Sequence, residues 1–261
     1  KDGVALCVTG MGKVNSAMTL QAILMDDRFD FSNAYIISTG CAGSAVEYGV
    51  MGDVFVITAT VDFDLGHHAD ARDLTTDLAT TWFHDESYDD ASAKLLNQEL
   101  CEKVFNLVKD VQIETTEKTR AFMAATFDNA DWAIRDPKVL RGTTVTGDNY
   151  WKGMHDHANA LLMTETYGCP DPYALTEMED HAMSVVLDRL GMLDRYIIIR
   201  DSVNTDVFMN GASPESLWDP NFVDSLASES SVESADIFAT AMKNNFTVGH
   251  VVIDAILNGE L

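Results

Sequence analysis

The sequence predicts an α/β fold built on a wound sheet, in one domain of 261 residues. Short apolar runs of strand length alternate with stretches of helical periodicity, and small-residue turns follow several of these runs. Hydrophobic residues make up 46% and charged residues 23% of the chain, which is typical of a globular protein with a sizeable core. Because the chain has no internal repeat, low-complexity tract or Pro/Gly-rich linker, we predict a single domain.

The strands and helices are assigned from hydrophobic periodicity. Strands are predicted at residues 4–9, 35–38, 54–59, 143–146 and 196–200. Helices are predicted at residues 14–24, 91–108, 121–134 and 178–190 and in a closing segment, 234–261, with a break near Gly249.

The charge balance is strongly acidic, with 42 acidic against 17 basic residues and a formal net charge of −25. This excess opposes binding to nucleic acid phosphates and to anionic membrane surfaces. A heavily solvated surface, an adaptation to high salt or an acidic storage role would each produce such a composition. No stretch approaches the roughly 18 to 20 consecutive apolar residues of a spanning helix. We therefore predict no nucleic-acid partner and no membrane insertion, and a transporter built from this chain alone is physically implausible.

The cysteines and histidines form no complete metal-binding pattern. The chain has no CxxC pair, which argues against a zinc ribbon or a thioredoxin-like motif. Its four cysteines could still form one or two disulfides, so the sequence leaves the redox compartment open. His67 and His68 with Asp70, and His155 with His157, have loosely metal-like spacing, but neither group is a full ligand set. We predict no metal site.

Glycine-rich turns follow two of the predicted strands, at residues 10–12 and 40–43. Such turns let backbone amides approach a ligand and direct a helix N-terminus at an anion. Asn15 stands where the third glycine of a dinucleotide-binding fingerprint is expected. Tight chain reversals need glycine in any case, so each turn taken alone is weak evidence for a ligand.

Three further clusters lie near predicted strands or helices. Tyr150 and Trp151 could offer an aromatic face to a planar base, or could cap the core. Residues 177–180 open a helix, where acidic side chains are favoured by the helix dipole alone. Residues 200–206 lie at the carboxyl end of a strand, where open α/β sheets bind their ligands.

The order of these clusters resembles the purine nucleoside permease family, a branch that is similar to the nucleoside phosphorylases and nucleosidases. The resemblance runs from about residue 4 to about residue 215. Its most specific part is Gly-Asp-Asn-aromatic-Trp at 147–151, Met-Glu-Asp at 178–180 and Arg-x-Ser-x-Asn at 200–204. The resemblance implies a three-layer nucleoside phosphorylase-like fold, with a central mixed sheet flanked by helices. It also implies a first strand upstream of residue 4.

The resemblance implies that this fold binds a purine nucleoside and cleaves its N-glycosidic bond. The residues expected to contact the substrate are Gly40, Cys41, Ala42, Gly43, Tyr150, Trp151, Met178, Glu179 and Asn204. The loop at 40–43 would lie along the base and the ribose, and Tyr150, with Trp151 beside it, would stack on the purine. Met178 would pack on the sugar, while the Glu179 carboxylate accepts hydrogen bonds from the ribose hydroxyls. Asn204 would meet the N7/O6 edge of the base.

Two departures from the relatives concern the reaction itself. Phosphorylases hold phosphate with an arginine near the second glycine-rich loop, where this chain offers only Ser38 and Cys41. Nucleosidases carry an aspartate where Asn204 stands, and an amide does not donate a proton as an acid does. Asp201 and Asp206 are the alternatives for the acid role. Phosphate is an open co-substrate, and no other cofactor is expected.

Three functions remain open on the sequence alone. The chain is a glycosidic-bond-cleaving enzyme, a nucleoside-binding component of an uptake system without catalysis, or a storage protein on a retired enzyme scaffold. By analogy with relatives, the resemblance favours a homo-oligomer and an exported location.

Overall fold

A mixed sheet of six strands forms the centre of the protein, in a computed structural model that describes residues 3–75, 80–207 and 232–261. The strands, of which β3 and β4 form a separate pair, are β1 Ile36–Ser44, β2 Val54–Asp62, β3 His67–His68, β4 Trp82–Phe83, β5 Ala93–Leu95, β6 Val139–Thr146, β7 Tyr173–Glu177 and β8 Tyr196–Thr205. The α-helices are α1 Lys13–Leu24, α2 Asp89–Ser92, α3 Gln98–Val108, α4 Glu117–Thr126, α5 Met154–Thr166, α6 Asp180–Arg189 and α7 Val232–Leu257. Residues 208–215, the end of the sequence resemblance, lie outside the described residues.

The central sheet has the strand order β5-β2-β6-β7-β1-β8, and β8 pairs back onto β2. Five of its strands therefore close into a ring. β2, β6 and β7 are parallel to one another and β1 is parallel to β8, whereas β1 meets β7 and β2 meets β8 in antiparallel pairs. Gly43 is registered with both Thr176 and Asn204, and Thr146 with Glu177. The carboxyl ends of β1, β6, β7 and β8 thus converge.

Helices cover both faces of the sheet, which explains the continuous apolar runs in its strands. All nine residues of β2 are buried. On one side Phe55 and Ile57 belong to a cluster with Leu187 of α6. On the other side the neighbouring side chains of β2 pack with α3 and α7 in a second cluster: Val54, Val56, Val104, Val248 and Val252. Helix, sheet and helix form three layers, as predicted.

The predicted strand at residues 4–9 is wrong. The segment pairs with none of the described strands, and the side chains of Leu6 and Val8 are 90% and 87% exposed. Apolar residues in the right number do not form a strand unless a neighbouring strand supplies the ladder hydrogen bonds.

The predicted helix at 91–108 is also wrong in its first part, which is α2 followed by the short strand β5. The side chain of Asn97 accepts the Leu100 N–H and starts α3 there. The helix predicted at 121–134 is shifted to α4, which ends before Asp128 and Asn129 adopt positive φ angles of 51° and 57°. The break predicted near Gly249 is absent, because α7 continues to Leu257.

β1, β2 and β8 extend beyond their predicted ends, and β3, β4, β7 and α5 were not predicted. β1 continues through residues 39–43 and β8 through residues 201–205, so both clusters lie within strands and not in loops after them. All four cysteines are free thiols. No helix within the described ranges is both long and apolar enough to cross a membrane.

Candidate functional site

The converging strand ends bring together clusters that are far apart in the sequence. Gly12, at the start of α1, donates its backbone N–H to Oε1 of Glu179 at 2.9 Å. Glu179 precedes α6 directly, and Arg200 of β8 reaches its other carboxylate oxygen at 3.2 Å. Gly43 of β1 lies opposite Asn204 of β8. These contacts bring the carboxyl ends of β1, β7 and β8 to the start of α1, and we treat this region, called the cleft below, as the candidate site.

Arg200 is the buried centre of this cleft, with 5% of its surface exposed. Its Nε and Nη2 donate to the two carboxylate oxygens of Asp180, each at 2.8 Å. Its Nη1 donates to the Cys41 carbonyl at 3.2 Å. A Cβ on Gly40 would lie 2.8 Å from Nη1, so glycine at this position lets the guanidinium lie against β1. The bidentate pair with Asp180 fixes the plane of the arginine.

Carboxylates outnumber cations around Arg200. Glu177, at the end of β7, is buried, accepts the Thr146 hydroxyl and lies 3.4 Å from Nη2 of Arg200. Burial raises the pKa of Glu177 to about 7, and repulsion from Asp180 adds to this shift while Arg200 opposes it. Burial alone would lower the pKa of Arg200, but attraction to Asp180 and Glu177 raises it well above the ordinary value. The arginine therefore stays charged.

Glu179 is held from two sides while part of its side chain stays exposed. One carboxylate oxygen accepts the Gly12 N–H and the other accepts from Arg200. The side chain keeps 15% of its surface exposed. An ionised carboxylate has about four acceptor positions, so two remain for donors in the cleft. The turn at 10–12, which the sequence suggested as an anion site, directs its amide at this protein carboxylate.

Lys13 ties the start of α1 to the rim of the cleft. Its backbone N–H donates to Oδ1 of Asp148 at 2.8 Å. Its ammonium lies 2.9 Å from Asp62 and 2.8 Å from Asp64. Partial burial alone would lower the pKa of Lys13, but the hydrogen bonds to Asp64 and Asp62 raise it. This basic side chain is therefore bonded to two carboxylates.

Tyr150 and Trp151 separate at the edge of the cleft. Tyr150 is 64% exposed, and its hydroxyl oxygen accepts a hydrogen bond from Nδ2 of Asn204 at 3.2 Å. Trp151 is 9% exposed and stacks on Phe63, with ring centroids 5.0 Å apart and planes inclined by 18°. The structure thus leaves Tyr150 available at the surface and places Trp151 in the core, where it does not lie beside Tyr150 as a second exposed ring.

The side chain of Asn204 also contacts β1. A Cβ added to Gly43 would lie 2.6 Å from Oδ1 of Asn204, so this amide needs glycine opposite it. Cys41 is half-buried, and burial raises the pKa of its thiol, which keeps it neutral. Ala42 is buried in the sheet, whereas Met178 is half-buried directly before Glu179. Ser38 donates its hydroxyl to Asp180 at 2.6 Å.

The two alternative acids lie in the interior. Asp206, with 1% exposure, accepts the Tyr173 hydroxyl at 2.8 Å and contacts Nδ1 of His157 at 2.7 Å. Asp201 is fully buried and accepts from Nδ2 of Asn245 at 2.6 Å. Burial raises the pKa of Asp201 to about 6. Neither carboxyl lies with Tyr150 and Asn204, so the structure does not support them in the acid role.

Three residues of the cleft lie in motifs that the sequence analysis identified, but no individual role was predicted for them. Gly12, Asp180 and Arg200 position Glu179, and their roles follow only from strand pairing and helix placement. Of the histidines with metal-like spacing, His67 contacts the carboxylate of Asp85 and His157 that of Asp206. Within the described ranges, no group of three or more His, Cys, Asp or Glu side chains could hold a metal ion.

Comparison with known proteins identifies a family that matches nearly the whole chain and relatives that match about three quarters of it. Residues 1–260 match the model of a family described as purine nucleoside permease (NUP). A probable purine nucleoside permease of Schizosaccharomyces pombe is 28% identical over 224 residues, covering 76% of this chain and 63% of that protein. A purine nucleoside permease of Candida albicans is 24% identical over 212 residues, covering 74% and 52%. The matched part thus spans about half to two thirds of these relatives.

Two solved structures share the fold. The 5′-methylthioadenosine/S-adenosylhomocysteine nucleosidase of Neisseria meningitidis has a TM-score of 0.55 and 17% identity, covering 95% of this chain and 79% of that one. The futalosine hydrolase of Helicobacter pylori strain 26695 has a TM-score of 0.54 and 15% identity, covering 94% and 77%. These similarities confirm the predicted nucleoside phosphorylase-like fold.

Proposed function

Because the chain belongs to the purine nucleoside permease family, we propose that it binds purine nucleosides and cleaves their N-glycosidic bond. The observation that carries the proposal is the orientation of Glu179. Gly12 and Arg200 hold its carboxylate at the cleft, and two acceptor positions remain for the vicinal hydroxyls of a ribose. Such charge-assisted hydrogen bonds are stronger than neutral ones and fix the orientation of the sugar.

The base would lie against the ring of Tyr150, with one edge facing the Asn204 amide. An exposed tyrosine ring offers a stacking face that suits any purine. The Asn204 amide would meet the N7/O6 edge and hold the base there by hydrogen bonding. An amide does not protonate the departing base as an acid does, so in this proposal that proton comes from solvent. The fold neighbours, which include a nucleosidase and a futalosine hydrolase, support glycosidic cleavage.

The charges in the cleft favour water over phosphate as the nucleophile. Arg200 is bonded to Asp180 and Glu179, and Lys13 to two further carboxylates. An incoming phosphate would face this excess of negative charge. Ser38, the hydroxyl nearest to the expected phosphate site, is bonded to Asp180. Residues 208–231 contain no lysine or arginine that could alter this balance.

A second function is nucleoside binding without catalysis, as a component of nucleoside uptake. The absence of an acid at position 204 favours it, as do the names of the relatives from Schizosaccharomyces pombe and Candida albicans. Both functions need the same ribose and base contacts, so binding alone does not separate them.

The test is to incubate the protein with inosine or adenosine, with and without phosphate, and to measure free base and the sugar product. Free base with ribose indicates hydrolysis, and ribose 1-phosphate indicates phosphorolysis. Binding by calorimetry without any free base supports the uptake component. If the protein shows neither binding nor cleavage, both functions are contradicted. A Glu179→Gln preparation, made in parallel, controls for a contaminating enzyme because it should release less base.

A further inference from the structure

The base side of the cleft contains one hydrogen bond between side chains, and that bond joins a ring to an amide. Nδ2 of Asn204 donates to the Tyr150 hydroxyl at 3.2 Å. Tyr150 follows β6 and Asn204 lies in β8, so the contact links two separate segments of the chain. A phenylalanine at position 150 would offer the same stacking face. The hydroxyl therefore adds to the stacking face a contact with Asn204 that a phenylalanine would lack.

The contact restricts the orientation of the Asn204 amide. Its nitrogen points to Tyr150, and its oxygen lies beside Gly43, close enough that a Cβ there would be 2.6 Å away. An amide nitrogen carries two hydrogens, and one is used by the tyrosine. The other remains to be donated. Because the tyrosine oxygen accepts this bond, its own hydrogen is also free to be donated.

We propose that Tyr150 determines base specificity by holding Asn204 with its N–H side toward the base, so that the site selects 6-oxopurines over adenine. This inference rests on the proposed function. Inosine and guanosine present two acceptors at this edge, N7 and O6. Adenosine presents one acceptor, N7, and an amino donor. A donor facing that amino group loses its hydrogen bond, which corresponds to a preference for inosine of about 5- to 150-fold.

The experiment measures the ratio of inosine to adenosine affinity by competition binding on wild type and Tyr150→Phe. The phenylalanine keeps the ring and removes the hydroxyl, so the Asn204 amide is free to turn its oxygen toward the adenine amine. We expect the preference to fall to within about threefold of unity. Tyr35→Phe, at the other end of β1, is the matched control and should keep the wild-type ratio.

A double-mutant cycle separates this role from a change in stacking. In Asn204→Asp the two oxygens of the ionised carboxylate are equivalent, so the orientation of the side chain no longer matters once it is ionised. Adding Tyr150→Phe to that variant should therefore leave its ratio unchanged. If Tyr150→Phe leaves the ratio of inosine to adenosine affinity unchanged in wild type, the inference is overturned. It is also overturned if Tyr150→Phe shifts this ratio equally in wild type and in Asn204→Asp. If wild type binds neither nucleoside, the proposed function itself fails.

Discussion

The two sides of the candidate site are built in different ways. On the side that we propose binds the ribose, called the ribose side, Glu179 is held by a backbone amide and by a buried arginine, which is itself held by Asp180 in a bidentate pair. On the base side, a ring with 64% exposure meets Asn204 through one hydrogen bond of 3.2 Å. The ribose side is part of the folded core, whereas the base side lies at its edge.

This difference separates the expected effects of substitution. Groups in a connected buried network stabilise the fold and the site together, so their removal affects both. A group at the edge contacts few others, and its replacement changes ligand selection with little effect on stability. Under the proposed function, we therefore expect sugar recognition to stay constant and base recognition to be adjustable.

Replacing Arg200 with methionine tests the ribose side most severely. The substitution leaves Asp180 and Glu177 buried without their cation, and breaking a buried ion pair in this way costs about 3 to 5 kcal/mol. The free energy of unfolding in urea should fall by that amount. Arg189→Met, an exposed position on α6, is the control and should change it by less than about 0.5 kcal/mol. Equal losses in both variants would show that the network does not stabilise the core.

Replacing Glu179 with glutamine tests sugar recognition. The change keeps the shape of the side chain but converts an acceptor into a donor that faces the ribose hydroxyls. Binding of ribonucleosides should weaken by about 2 to 4 kcal/mol in calorimetry. Binding of 2′,3′-dideoxynucleosides should weaken much less, since they lack these hydroxyls.

The matched control for Glu179 is Asp148→Asn. Asp148 also holds the start of α1, through the Lys13 N–H, and lies at the rim of the cleft. This variant should weaken both classes of nucleoside equally. If Glu179→Gln did the same, its carboxylate would serve only to fasten α1.

Replacing the buried Asp201 of β8 with asparagine tests whether base recognition extends from Asn204 into the interior. Burial raises its pKa to about 6 from 3.8, so between these values the folded protein retains a proton that the unfolded chain has lost. The free energy of unfolding therefore falls as pH rises through this window. Asp201→Asn removes that loss, and its stability relative to wild type should improve by about 2 to 3 kcal/mol between pH 4 and 7.

Denaturation at several pH values measures this difference, with the exposed Asp110→Asn as the control. The ratio of inosine to adenosine binding should stay unchanged in Asp201→Asn. A changed ratio would show that base recognition depends on Asp201 in the interior, and would contradict the separation between a buried ribose side and a base side at the edge.

The sequence indicates which segments come together better than it indicates the contacts between their side chains. It predicts Tyr150 and Asn204 at strand ends and Glu179 at the start of a helix, and the carboxyl ends of strands converge in an α/β sheet. Arg200 was interpreted as part of a cluster after a strand, because a charged residue in a buried strand is recognisable only once its partner is known. Asp180 is that partner, and α6 brings it there.

Two further features could not be predicted from local sequence, for the same physical reason. Tyr150 and Trp151 are adjacent, so they face different surroundings, but local sequence does not tell which of the two rings turns to the core. Phe63 decides this by stacking on Trp151. The apolar segment at 4–9 satisfies the local pattern of a strand but pairs with no described strand. In both cases the deciding contact is made by a residue remote in the chain.

Replacing Asn204 with aspartate tests the base side and carries the smallest expected effect. With asparagine, the site should prefer 6-oxopurines by about 1 to 3 kcal/mol, since adenosine leaves a donor unpaired. A protonated aspartate can donate to N7, and the ionised form accepts from the adenine amine, so the preference should reverse. Asn204 is half-buried at the end of β8, so the substitution should cost little stability. Competition of inosine against adenosine on both proteins measures the ratio, and urea denaturation measures the stability. A lower stability with an unchanged ratio would mean that Asn204 only completes β8.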